Sequence, residues 1–312
     1  MRPLEGMLVV DLTRYLPGPF ATRELLRYGA RVVRLESPEG DPLRDIAPEW
    51  DASLNAGKES VVCDLKADPR FGRALCSRAD VVLEGFRPGV AERLGIGASA
   101  LPDTVVYCSL TGFGAEGRHA ARAGHDLNYL GYAGLLADTA PALPPVQIAD
   151  LGSGALAAVA EILAALLERQ RTGRGAHLVV SMTHGAHRFA AHRLAGEPRP
   201  RLLTGGLPRY RIYETADGRY LTVAALEPKF AARLAELLEL PGIDDGDALA
   251  ARIRSKPLAR WLELFDGEDV AVGPVATLEE AAGVFGSEPP PGPPPALGEH
   301  TEAWRAELGR AD

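Results

Sequence analysis

The sequence predicts an α/β protein: a doubly wound parallel sheet in a large domain, followed by a smaller α+β domain. Three observations carry this expectation. Through the first half of the chain, short apolar runs alternate with segments of helical periodicity. Those runs are apolar throughout rather than alternating in polarity, as in strands buried on both faces. A Pro-, Arg- and Gly-rich stretch from Glu197 to Pro208 then separates this half from a hairpin pattern.

Met7 to Val10 reads as the first strand, closed by Asp11-Leu12. Thr13 to Pro19 is a loop, Phe20 to Tyr28 a helix stopped by Gly29, and Arg31 to Leu35 the second strand. A strand-helix-strand unit of this kind favours parallel pairing. The alternation continues with strands at Ser60 to Leu65, Val81 to Glu84 and Val105 to Leu110, and a helix from Phe71 to Arg78. Leu151 to Arg171 is the clearest helix, with Leu156, Val159, Ile162, Leu163, Leu166 and Leu167 on one stripe and Gly173 as its terminator. Asp150 stands at its expected N-cap, and Gly152 and Gly154 would let a ligand approach the positive helix end. His177 to Met182 is read as a strand, and a helix runs from there to Leu194. Tyr210 to Thr215 and Tyr220 to Ala225 flank Asp217-Gly218, a hairpin turn. Helices follow at Pro228 to Leu238 and Leu258 to Phe265. Gly286 onward, with Pro289 to Pro291 and Pro293 to Pro295, reads as an extended connector, and Gly298 to Leu308 as a last helix. The expected domains are therefore residues 1–195, completed by 286–312, and residues 209–285.

A chain of 312 residues with 46% apolar residues has material for two such domains. Its net charge of −8 argues against nucleic acid as a partner, because phosphate neutralisation needs a basic surface. No uninterrupted apolar run reaches membrane-spanning length, and no signal-peptide core is evident, so a cytoplasmic protein without a membrane partner is expected. Cys63, Cys76 and Cys108 lack C-x-x-C spacing and fit reduced thiols.

The chemistry concentrates at Arg122-Ala123-Gly124-His125-Asp126-Leu127-Asn128-Tyr129 and at Asp150. An imidazole beside a carboxylate, with a second carboxylate at a helix start, suits proton transfer to and from a substrate. Ligands of such sheets sit beyond the carboxyl ends of the strands, where the loops carry Lys66, Arg87 and, one turn on, Arg93. Glu36 ends the second strand as a ribose-binding acid would, but Thr13 to Pro19 lacks the G-x-G-x-x-G turn, so no nicotinamide or flavin site is expected. His184 and His187 lie one turn apart without a suitably spaced third ligand, so no metal is expected.

In order along the chain stand Val10-Asp11-Leu12 to Gly18-Pro19, Gly29-Ala30-Arg31-Val32-Val33-Arg34, Asp64-Leu65-Lys66 and Glu84-Gly85-Phe86-Arg87-Pro88-Gly89. They are followed by Thr111-Gly112-Phe113-Gly114, Ala123 to Tyr129, the Asp150 helix, Thr172-Gly173-Arg174-Gly175 and Ala216-Asp217-Gly218-Arg219-Tyr220 to Glu227-Pro228. As an ordered set they resemble the family III CoA-transferases, and within them the α-methylacyl-CoA racemase branch. The resemblance implies an interlocked homodimer acting on an acyl-CoA thioester, with coenzyme A as part of the substrate and no covalently bound cofactor. It implies catalytic roles for His125 assisted by Glu227 on one face of the α-carbon, and for Asp150 assisted by Asp126 on the other. Coenzyme A is expected on Arg14, Tyr15, Arg34, Cys63, Asp64, Leu65, Lys66, Phe86, Arg87, Arg93, Gly124 and Asn128. Ser37 stands where racemases commonly carry an arginine; the lost cation would weaken the grip on the nucleotide or leave that job to Arg34 or Lys58. The transferase branch implies a different use of Asp150, as a nucleophile forming an acyl anhydride; a catalytically silent acyl-CoA binding protein is the third reading.

Overall fold

The computed structural model describes residues 1–286 and 292–309; the Pro289 to Pro291 part of the expected connector lies outside them. The chain divides into two compact units, Met1–Ala191 with Pro289–Asp312, and His192–Glu288.

The large unit is built on six parallel strands: β1 (Leu8–Leu12), β2 (Arg31–Glu36), β3 (Glu59–Val62), β4 (Val81–Glu84), β5 (Val106–Thr111) and β6 (His177–Ser181). Their order, β3-β2-β1-β4-β5-β6, reverses direction at β1/β4, and the loops after those two strands flank the crevice where such sheets bind ligands. Successive side chains of a strand point to opposite faces, so each strand feeds two cores. Val9, Val32, Val81 and Leu83 pack with Ala21 and Leu25 of helix Pro17–Arg27 and with Ala158, Ile162 and Leu166 of helix Ala157–Thr172. Val10, Val33 and Val82 pack on the other face with Phe71, Leu75 and Cys76 of helix Pro69–Arg78.

The C-terminal helix, Thr301–Leu308, returns to this second face. Trp304 is 1% exposed and donates its indole N–H to Glu59 Oε2 at 2.7 Å. The side chains of His300 and Thr301 accept the free N–H groups of Ser60 and Val62 on β3, so the tail covers this sheet edge.

Two expectations about the long helix change. It begins as a π-helix, Ala149–Leu156, and Asp150 lies inside that first turn, with Ile148 at the N-cap. Gly152 and Gly154 do not open the helix end to a ligand: a Cβ on Gly154 would lie 2.8 Å from Met182 Cγ, and one on Gly152 3.3 Å from the Phe189 ring. They let helix Met182–Phe189 approach closely, with Ser153 Oγ donating to Met182 O at 2.7 Å. The continuous helix Ala149–Thr172 is also long and apolar enough, by length and composition, to cross a membrane, which the residue runs alone did not suggest. Half of its most apolar window is buried inside the protein.

The small unit carries the antiparallel sheet β7 (Tyr210–Glu214), β8 (Tyr220–Ala224) and β9 (Val272–Pro274). Leu221 and Val223 point from β8 into a core with Leu234, Leu249, Ile253 and Trp261, supplied by helices Pro228–Leu237, Gly246–Ile253 and Leu258–Phe265. Neither β9 nor the Gly246–Ile253 helix is evident in the hydrophobic pattern.

Candidate active site

The loops after β1, β4 and β5 and the starts of two helices enclose a cavity of about 620 Å³. His125 enters as the N-cap of helix Asp126–Ala133, its backbone N–H accepted by Asn128 Oδ1 at 3.1 Å. Asp150 enters from the first turn of the π-helix. What brings them together is Asp126: its Oδ1 accepts the N–H of Ala149 at 2.7 Å and of Asp150 at 3.0 Å, pinning one helix start to the other. A carboxylate at that position also answers the positive end of the helix.

Asp150 is 9% exposed, and among the described residues that line the cavity it is the only acid. Burial, reinforced by the neighbouring Asp126 carboxylate, pushes its carboxyl up to about 7. An acid in that range exchanges protons readily at neutral pH.

Tyr129 shapes the floor. Its hydroxyl donates to Gly124 O at 2.5 Å, and its ring leaves no room for a Cβ at Gly112 or Gly124, each of which would lie within 3.0 Å of a ring carbon. Glu84, buried at the end of β4, accepts the Phe86 N–H at 2.7 Å and so fixes the Gly85–Pro88 wall. Thr111 ends β5 by donating to Val180 O and accepting the Gly114 N–H, both at 3.0 Å. None of these three is chemically conspicuous in sequence, because each works through backbone partners that only the fold brings near.

A second hollow, of about 330 Å³, shares Leu12, Thr13, Arg14 and Phe86 with the first. Cys63, Asp64, Leu65 and Lys66 line it, with Glu36, Ser37 and Asp41. Of the residues expected to hold coenzyme A, Arg14, Tyr15, Phe86, Arg87, Gly124 and Asn128 line the larger cavity.

Arg34 and Arg93 line neither, and for Arg34 the reason is plain. Its side chain is 1% exposed and lies 2.7 Å from Asp51, 3.0 Å from Asp41 and 3.4 Å from Glu36. A guanidinium enclosed by three carboxylates is an internal counter-charge, not a free phosphate ligand. Lys58 is likewise enclosed, donating to Pro19 O, Thr22 Oγ1 and Asn55 Oδ1, and burial lowers its ammonium to about 8. Neither replaces the arginine absent at Ser37. Arg93 is exposed on the short helix Val90–Arg93. Asp126 lies behind the cavity wall rather than on it, and Glu227 is an exposed N-cap residue of the small unit's helix Pro228–Leu237. Among the described residues no cluster of three His, Cys, Asp or Glu side chains could hold a metal ion.

The sequence model of CoA-transferase family III matches residues 4–284. The chain belongs to that family. Within the family it is 37% identical to α-methylacyl-CoA racemase of Homo sapiens over 309 residues, covering 89% of this chain and 78% of the human protein. It is also 32% identical to succinyl-CoA:glutarate CoA-transferase of Mus musculus, covering 90% of this chain and 73% of that enzyme. A crystal structure of a hypothetical protein from Mycobacterium tuberculosis superposes with a TM-score of 0.85 at 27% identity, covering 97% of this chain and 99% of that one. This family III chain is thus an enzyme whose relatives include both racemases and transferases.

Proposed function

We propose that the protein inverts the α-carbon of a 2-methyl-branched acyl-CoA thioester by proton transfer through an enolate. The observation that carries this reading is one cavity lined by both the His125 imidazole and a carboxyl group, Asp150, raised to about 7. A proton acceptor and a proton donor on separate elements of one cavity are what inversion requires: one takes the α-proton while the other returns a proton to the opposite face. Asp126 acts by position, holding the Asp150 turn and keeping its proton affinity high.

The α-proton of a thioester is weakly acidic, so the enolate oxygen needs donors as charge develops. The N–H groups of Ala149 and Asp150 are taken by Asp126. Those of Asn128 and Tyr129 turn to His125 O, which leaves Asp126 and Leu127 at the helix start to supply donors. The thioester carbonyl would sit there, with pantetheine crossing the residues shared by the two hollows and the nucleotide in the smaller one. Arg14, Arg87 and Lys66 are exposed cations along that route. Among the described residues Asp150 is the only acid lining the cavity; the family resemblance gives the carboxylate that assists His125 as Glu227 of a second protomer in an interlocked homodimer.

A CoA-transferase is the second reading, supported by transferase relatives at 32% identity. There Asp150 attacks the thioester carbonyl and expels the CoA thiolate, leaving an acyl anhydride. Incubation with an acyl-CoA and hydroxylamine separates the two. An Asp150-dependent hydroxamate favours transfer. Deuterium entry at the α-carbon that disappears in His125→Ala favours inversion, and exchange untouched by His125→Ala would end the proposal.

A further inference from the structure

Tyr15 lines the larger cavity and has a backbone φ of +65°, in the left-handed region. For a bulky residue this conformation is strained and persists only where the surroundings enforce it. The enforcement is visible. The Tyr15 N–H donates to Asp41 Oδ2 at 2.9 Å, while Asp41 Oδ1 accepts the Leu43 N–H at 2.9 Å. Asp41 is 2% exposed and its Oδ2 lies 3.0 Å from Arg34 Nη2, whose own position is fixed by Asp51. Two residues earlier, the Thr13 N–H and hydroxyl both donate to Asp11 Oδ1. Two residues later, helix Pro17–Arg27 begins. The turn is therefore held at both ends and at its centre.

What the turn presents is the Tyr15 ring, set edge-to-face with the His125 imidazole, with centroids 6.1 Å apart and planes at 89°. Tyr15 is 43% exposed, so core packing does not account for its placement. We propose that Asp41, clamped by Arg34, is a positioning residue: it holds Tyr15 in the left-handed turn that sets its ring against His125 and orients the imidazole over the cavity. Asp41 and Arg34 touch no reacting atom in this arrangement. They act through Tyr15, which explains why so much buried charge is gathered beneath a loop of modest size.

This inference rests on the proton-transfer reading for its functional meaning, but its test does not require turnover. Nuclear magnetic resonance of the seven histidines, with His125→Ala identifying its own signal, reports the ring current of Tyr15 on the His125 ring protons. Tyr15→Ala moves that signal and Tyr15→Phe leaves it in place. Asp41→Asn, and Asp41→Glu as the variant that keeps the charge opposite Arg34, move it in the same direction as Tyr15→Ala. In the folded wild type, the Tyr15 amide exchanges slowly with solvent because Asp41 accepts it. In α-proton exchange, kcat falls by on the order of tenfold to a hundredfold in the Asp41 variants, the scale expected for a misplaced group. A His125 signal unmoved by both Asp41 variants, or a Tyr15 amide that exchanges freely in the wild type, overturns the proposal. Loss of exchange activity in the wild type, with the signals moving as stated, would instead sink the racemase reading and leave the positioning intact.

Discussion

Replacing Asp150 with asparagine removes an ionisable group while keeping its shape, and the effect on stability depends on pH in a defined direction. In the unfolded chain this carboxyl ionises near its ordinary value of 3.8; in the fold it does so near 7. Below about pH 4 the group is protonated in both states and the wild type has its full stability. As pH rises toward 7, the unfolded state releases the proton and the folded state holds it, so the wild type loses stability that the variant keeps. About three pH units at roughly 1.4 kcal/mol each give about 4 kcal/mol, an upper figure because water reaches part of the cavity. Above pH 7 both forms of the wild type are ionised and the difference is flat. Hydrogen exchange in β1 and β4, followed from pH 4 to 9 and corrected for intrinsic rates, reads the opening energy of the large unit directly. The variant should gain on the wild type between pH 4 and 7, while α-proton exchange is lost. Parallel pH responses in the two proteins would mean that Asp150 ionises like a surface carboxylate, and the acid half of the proposed chemistry would lose its basis.

Arg34→Ala leaves the buried Asp41 carboxylate without its cation and Asp51 with only Arg44 at 3.9 Å, while Glu36 keeps its pair with Arg44; it should destabilise the large unit by about 3–5 kcal/mol in denaturant titration. In Gly18→Ala the new Cβ would fall 1.9 Å from Thr13 Oγ1, which is tied to Asp11. The expected cost is about 1–3 kcal/mol, with a raised KM for acyl-CoA because the Thr13–Pro17 wall must move. Cys63, Cys76 and Cys108 are buried, and burial pushes their thiols up to about 11, 12 and 12. None should react with a disulfide reagent on the time scale of mixing while the protein is folded, and all three should react in denaturant.

Strands such as Leu8–Leu12 and Val81–Glu84 were legible because parallel strands covered on both faces must be apolar along their length. His125 and Asp150 were legible as chemical types at a helix start and near a helix start. The π-turn that carries Asp150 was not, since its register depends on Asp126 capping it from 23 and 24 residues away and on Ser153 reaching Met182. Arg34 was misread for a related reason: a cation in a motif looks available until the carboxylates that enclose it, 7 and 17 positions on, fold against it. In the small unit, Val272–Pro274 is too short to show a period, and Gly246–Ile253 opens on a glycine that argues against a helix. Each miss comes from a partner distant in sequence or from an element shorter than the pattern that would reveal it.

The most direct test uses one enantiomer of a 2-methylacyl-CoA in deuterated water, following configuration and α-deuterium together. The account predicts that configuration scrambles and that deuterium enters the α-carbon as it does so, with both changes lost in His125→Ala and in Asp150→Asn. Configuration retained, with no deuterium gained while the acyl group is passed to a second carboxylic acid, would contradict it.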